Sequence, residues 1–84
     1  MDKLNKKLKV CSFYLASFLL AKGVALIDVN KNQPEKIMFV FPNSNEVKEL
    51  VRVFYFSDEG DQQLLVDFKK TEMAMKKLKY IIHN

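Results

Sequence analysis

Phe13-Tyr14-Leu15-Ala16-Ser17-Phe18-Leu19-Leu20-Ala21-Lys22-Gly23 is a helix-sized run, apolar on nearly every side, that stops at a glycine. A helix of that kind cannot lie on a surface with one face in water. It has to be enclosed by other elements or by a second copy of the chain. Ser12 stands where an N-cap hydroxyl accepts a backbone N–H, and Gly23 suits the left-handed position just past the end. Val24–Val29 then reads as a strand whose near-continuous apolarity predicts cover on both faces. Asn30–Glu35 is a solvated loop that Pro34 keeps out of any ladder. Lys36–Phe41 is the return strand, with Ile37, Phe39 and Phe41 on one face and Lys36, Met38 and Val40 on the other. The two strands predict an antiparallel hairpin.

Further along, Pro42 stops the second strand, and Asn43 with Glu46 resembles a capping box. Val47, Leu50, Val51 and Phe54 fall at helical spacing and face a core, leaving Glu46, Lys48, Glu49 and Arg52 outside. Val53-Phe54-Tyr55-Phe56 closes this helix with aromatics that cannot all share one face. Ser57–Asp61 is a break. The last element is helical through at least residues 67–82, capped by Asp67 or Asp61, with Leu64, Phe68, Thr71, Met75, Leu78 and Ile82 as its apolar stripe. These elements define an α+β fold, a single small domain of order α-β-β-α-α with a short antiparallel sheet packed on helices. The domain is expected over residues 12–84, after a basic N-terminal arm at residues 1–11. Leu15, Leu19, Phe39, Leu50, Phe54 and Leu78 are expected to meet in one cluster.

Eighty-four residues make one domain, and a chain of that length buries about 60–65% of its unfolded surface. With 49% hydrophobic residues, including seven Phe and three Tyr, the composition is not that of a disordered chain. It offers more apolar surface than one small core can cover, which points to a homodimer. Tyr14, Tyr55 and Phe56 are the candidate partner-interface residues. The lone Cys11 rules out an intramolecular disulfide and a cysteine-built zinc site, fits a reducing cytoplasm, and reads as a small buried hydrophobe. Lys-rich residues 1–9 followed by Val10–Ala21 resemble the first parts of a secretory signal. Cleavage there would remove the best helix, and the run is too short for a bilayer, which takes about 20 residues. The expected location is therefore the cytoplasm, with no membrane span.

The net charge of +4 is unevenly placed: residues 1–9 carry +3, residues 69–84 carry +4, and residues 10–68 carry −3. Basic ends of this kind bind phosphates or partner acids, or simply keep a greasy protein in solution. Catalytic constellations are missing. His83 lies one residue from the end, and Gly23 and Gly60 cannot build a phosphate loop. Asp58, Glu59 and Asp61 lack calcium-loop spacing. No enzyme activity, cofactor or metal is expected. For nucleic acid, the candidate contacts are Lys9, Lys36, Lys69, Lys70, Lys76, Lys77 and Lys79. Against that reading, Phe39 and Phe41 share the expected core face with Ile37, Arg52 is the single arginine, and no helix-turn-helix, zinc-finger or RNP-type motif is present. Protein–protein interaction is thus the leading expectation and nucleic-acid binding the alternative. Whether the C-terminal lysines align with Lys9 and Lys36 discriminates between them.

The run from Phe13 to Gly23, with its YLA-x-x-LL-x-KG pattern, resembles the opening of an uncharacterised family of short bacterial and phage proteins. Phe39-Val40-Phe41, Glu49-Leu50-Val51 with Phe54-Tyr55, and Lys77-Leu78-Lys79 continue the likeness, which spans residues 12–82. The family is a domain of unknown function. The resemblance implies an accessory gene of phage or mobile-element type and transfers no site residues; the expected function is a non-enzymatic interaction module, a regulator or inhibitor of a host protein. The Lys-rich lead-in at residues 1–9 is expected to have no family counterpart.

Overall fold

The computed structural model describes residues 7–58 and 62–83. Residues 1–6 of the expected arm, residues 59–61 of the expected acidic turn (Asp61 as a candidate cap among them) and residue 84 lie outside the described residues. Helix α1 (Phe13–Ala21) starts at Ser12, whose Oγ accepts the Leu15 N–H at 3.1 Å. Leu15, Ala16, Ser17, Phe18 and Leu19 are all buried. Five consecutive buried residues sweep more than a full turn, so the helix is enclosed as its apolar surround requires. The buried Ser17 hydroxyl donates to the Phe13 carbonyl at 2.9 Å, leaving no orphan polar group. At the far end the Gly23 N–H donates to Leu20 O and the Val24 N–H to Leu19 O, at 2.9 and 3.0 Å. With Gly23 at φ +96° this is a Schellman stop.

The sheet contains a strand that the sequence reading assigned to the arm. β1 (Lys7–Val10), β2 (Asp28–Asn30) and β3 (Met38–Pro42) lie in the order β1-β3-β2. The basic lead-in therefore belongs to the domain from residue 7, and the expected α-β-β-α-α order gains a strand in front. Both β1 and β2 run antiparallel to β3. They are thus parallel to each other, joined by α1, with β3 in the gap: a split β-α-β unit. The register sets Val10, Phe39 and Val29 side by side on the core face, next to Leu8 opposite Phe41. Lys9, Val40 and Asp28 form the matching row on the open face. Phe39 and Phe41 are buried as their phase predicts. The first hairpin strand is shorter than predicted. Residues 24–27 form no ladder, and Ala25 and Ile27 are exposed, because β2 is an edge strand covered on one face. Pro42 closes β3 opposite Lys7, an end position where a missing N–H does no harm.

Helix α2 (Asn45–Phe56) is capped by Ser44, whose Oγ accepts the Val47 N–H at 3.2 Å, so Ser44 replaces the expected Asn43. Its core face carries Val47 and the half-buried Leu50, Val51 and Phe54, and widens to the buried Val53. The closing aromatics separate: Phe54 packs on Phe18 at 5.4 Å between ring centroids, while Tyr55 and Phe56 point outward. After a 3₁₀ turn (Gln62–Leu64), helix α3 (Phe68–His83) begins at Asp67. The Asp67 carboxylate accepts the Lys69 N–H at 2.8 Å, which resolves the cap. Ala74 and Leu78 are its buried residues, with Thr71, Met75 and Ile82 half-buried beside them. Phe68, expected on this stripe, is 82% exposed. As the first residue of the helix it lies beyond the reach of α1.

Leu15, Leu19, Phe39 and Leu78 join one buried cluster with Val10, Phe41, Val47 and Val53. Leu50 and Phe54 pack against its margin. Leu19→Ala should therefore cost about 2–5 kcal/mol in a denaturant melt, whereas Leu50→Ala should fall at or below the bottom of that range. Equal losses would mean that α2 sits deeper in the core than its half-buried leucine indicates.

Candidate interaction surfaces

Helix α3 carries five exposed lysines, in a pattern set by its pitch. Residues seven apart nearly align after two turns, so Lys69 and Lys76 form one line and Lys70 and Lys77 another. Met73 and Tyr80 run between them, 62% and 70% exposed. Lys79 stands apart from both lines. The two lysine lines differ electrostatically. Lys69 and Lys76 each approach Glu72 at 3.9 Å, an exposed contact worth little. Among the described residues, neither Lys70 nor Lys77 has an ion-pair partner.

Lys70 and Lys77 overlook a groove of about 490 Å³ between α3 and the end of α1. Its walls are Leu20, Ala21, Lys22 and Gly23 on one side and Lys70, Met73, Ala74 and Lys77 on the other. Every one of these side chains is apolar, absent or cationic. A broader groove of about 700 Å³ runs from Gly23 and Val24 to the start of α2, where Glu46 and Glu49 bring negative charge. Glu49 is tied to Arg52, whose guanidinium hydrogen-bonds its carboxylate and holds that group below the ordinary carboxylate pKa.

A third surface is the corner between α2 and α3. Tyr55 and Phe56 on one side of the 3₁₀ turn, and Leu65 and Phe68 on the other, are all more than half exposed. The turn itself packs against α2. Tyr14, the third candidate interface residue, is exposed on α1, its ring edge-on to Phe13 at 5.8 Å. Among the described residues no ring contact links it to Tyr55 or Phe56. Leu65 and Phe68 were not legible as surface residues, since both read as ordinary apolar positions. Met73 and Tyr80 were not singled out from the sequence either; their spacing of seven, in step with Lys69/Lys76 and Lys70/Lys77, is the signal that places them on one line of α3.

The lysines proposed for nucleic acid do not form one stripe. Lys9 stands with Lys7, Asp28 and Met38 on the open face of the sheet, whereas α3 belongs to the helical layer on the other side. Lys36 lies in the hairpin loop, outside β3, its N–H bonded to Gln33 O at 2.9 Å. Two further lysines have structural roles. Lys22 Nζ donates to Leu65 O at 2.9 Å and sits 5.6 Å from the centre of the Phe18 ring. Lys31 Nζ donates to Ile81 O at 2.8 Å, a cation on the last turn of α3. Cys11 is exposed in the short link between β1 and α1, not buried as expected. Among the described residues no cluster of His, Cys, Asp and Glu could hold a metal ion, and no helix is long and apolar enough to cross a membrane.

These features define a small α+β domain. The chain matches the model of the domain of unknown function DUF5659 over residues 5–82, and it belongs to that family. No curated protein and no solved structure compared with the chain matches it. Because the match begins at residue 5, most of the lead-in does have a family counterpart, in keeping with its role as β1. The exposed Cys11 should react with a maleimide in the native protein about as fast as in the denatured one. Strong native protection would place it back in the interior.

Proposed function

We propose that the chain is a non-enzymatic interaction module that self-associates and engages a further protein. The observation that carries this reading is the α2–α3 corner, where Tyr55, Phe56, Leu65 and Phe68 hold large apolar surface in water. Concentrated exposure of that kind marks contact sites, and aromatic side chains supply much of the energy in such contacts. The resemblance to short bacterial and phage proteins supports a regulator or inhibitor of a host protein, acting in the cytoplasm. In sedimentation at tens of micromolar the chain should run as a homodimer, and Phe56→Ser with Phe68→Ser should shift it to monomer. A clean wild-type monomer would reject self-association.

Nucleic-acid binding is the second reading, favoured by the Lys69, Lys70, Lys76 and Lys77 lines flanking Tyr80. It ranks lower because Phe39 and Phe41, the rings best placed to stack, are buried, and because Lys9 and Lys36 lie elsewhere. Binding to DNA or RNA should accordingly be weak, sequence-blind and lost by about 0.2 M salt, as counterion release dictates. Tight binding that survives that salt, and disappears in Lys76→Glu with Lys77→Glu, would reverse the ranking.

A further inference from the structure

We infer that the groove between α1 and α3 is the docking site for an acidic amphipathic helix of a partner protein. The inference rests on the interaction-module reading and names the chemistry of the partner. The first support is charge complementarity. No acidic residue lines the groove, and its two rim lysines, Lys70 and Lys77, are in no ion pair among the described residues, unlike Lys69 and Lys76. A partner bringing carboxylates to this rim meets two cations that no ion pair engages among the described residues. The second support is the floor. Ala74 is small, and nothing lies within 4 Å of where a Cβ on Gly23 would stand, so there is room for an incoming apolar side chain. Met73, 62% exposed, is a flexible wall that can adapt to it.

The backbone around the groove selects a helix over a strand. An added strand gains its affinity from unpaired main-chain groups at a sheet edge. Here both walls are helical, and the Schellman bonds have already taken the Leu19 and Leu20 carbonyls. An extended segment would find no ladder to join, whereas a helix satisfies its own backbone and offers side chains alone. The spacing also fits. Lys70 and Lys77 are separated by seven residues, about 10.5 Å along the axis. Two carboxylates seven apart on a partner helix span the same distance, and an apolar residue three or four positions after the first falls between them, over the groove. A nucleic acid would use both lysine lines of α3 alike and leave the apolar floor empty.

The test uses the full chain and a synthetic helical peptide of about 16 residues, long enough for four turns. The peptide carries Glu pairs seven apart with Leu between them. Its scramble has the same charge but no apolar face. Fluorescence anisotropy should show binding of the peptide and not of the scramble. Lys70→Glu with Lys77→Glu should weaken it at least about tenfold, because it replaces attraction with repulsion at the rim. Lys69→Glu with Lys76→Glu, an identical change in net charge on the other side of Met73, should leave affinity within about twofold. Circular dichroism of both double variants checks that these surface changes leave the fold intact. No binding by the wild type, equal loss in the two double variants, or equal binding of the scramble would each overturn the groove. Tighter binding of a DNA oligonucleotide that depends on all four lysines would overturn it in favour of a phosphate surface. Self-association is read separately by sedimentation, so the groove can fail while the α2–α3 corner still dimerises, and the reverse.

Discussion

The enclosure of α1 governs the rest of the structure. Its buried residues face in every direction around the axis, and Leu19 is entirely shielded from solvent. One flat partner can cover at most one side of such a helix. The sheet therefore lies beneath it, α2 and α3 close its flanks, and the chain must return to it from both directions in sequence. This division of labour also explains why the sheet has one open face. Both longer helices that follow the hairpin are committed to α1, and none remains for the far side of β1, β2 and β3. The molecule is correspondingly flat, 37 by 36 by 20 Å.

What was legible in the sequence was whatever is local. Ser12, Gly23 and Asp67 act at helix ends through bonds spanning a few residues, and each could be identified from residue type and position. The inward phase of Phe39 and Phe41 follows from strand alternation. What was hidden depends on contacts far apart in the chain. Lys7-Leu8-Lys9-Val10 alternates as a half-buried strand should, but its two lysines made it resemble a solvated arm. Only pairing with β3, some thirty residues on, turns the alternation into structure. Lys22 and Lys31 behave likewise. As residue types they are surface charges, yet their hydrogen bonds to Leu65 and Ile81 reach across 43 and 50 positions. For the candidate site, the lysine and apolar lines of α3 could be read from spacing, whereas the groove could not, because α1 supplies its other wall.

The open sheet explains why contact is assigned to the helical side. Among the described residues β1 has one strand neighbour, so its outer edge is a natural place for a second copy to pair. Lys7 and Lys9 oppose that. In antiparallel self-pairing that keeps the faces matched, lysines fall across from lysines and Leu8 or Val10 across from each other. Like charges directly opposite destabilise a strand pair. The same residues therefore build the sheet within one chain, where Lys9 meets Val40 and Lys7 meets Pro42, and guard it between chains. The self-association proposed above is accordingly assigned to surfaces without such a guard.

Positive charge on this protein consequently plays several different parts. Lys22 and Lys31 donate to backbone carbonyls, tying the segment before α3 and the last turn of α3 to the domain. Lys7 and Lys9 shape the sheet edge. Lys69 and Lys76 share a carboxylate on their own helix, which reduces their pull on an outside anion. Lys70 and Lys77 stand next to an apolar slot and without an ion-pair partner among the described residues. A diffuse cationic surface attracts any polyanion, weakly and in proportion to its charge. A pair of cations beside a recess imposes two conditions at once, carboxylates at a fixed separation and an apolar group between them. Specificity arises from the second condition, because a ligand meeting the first alone leaves the recess filled with water.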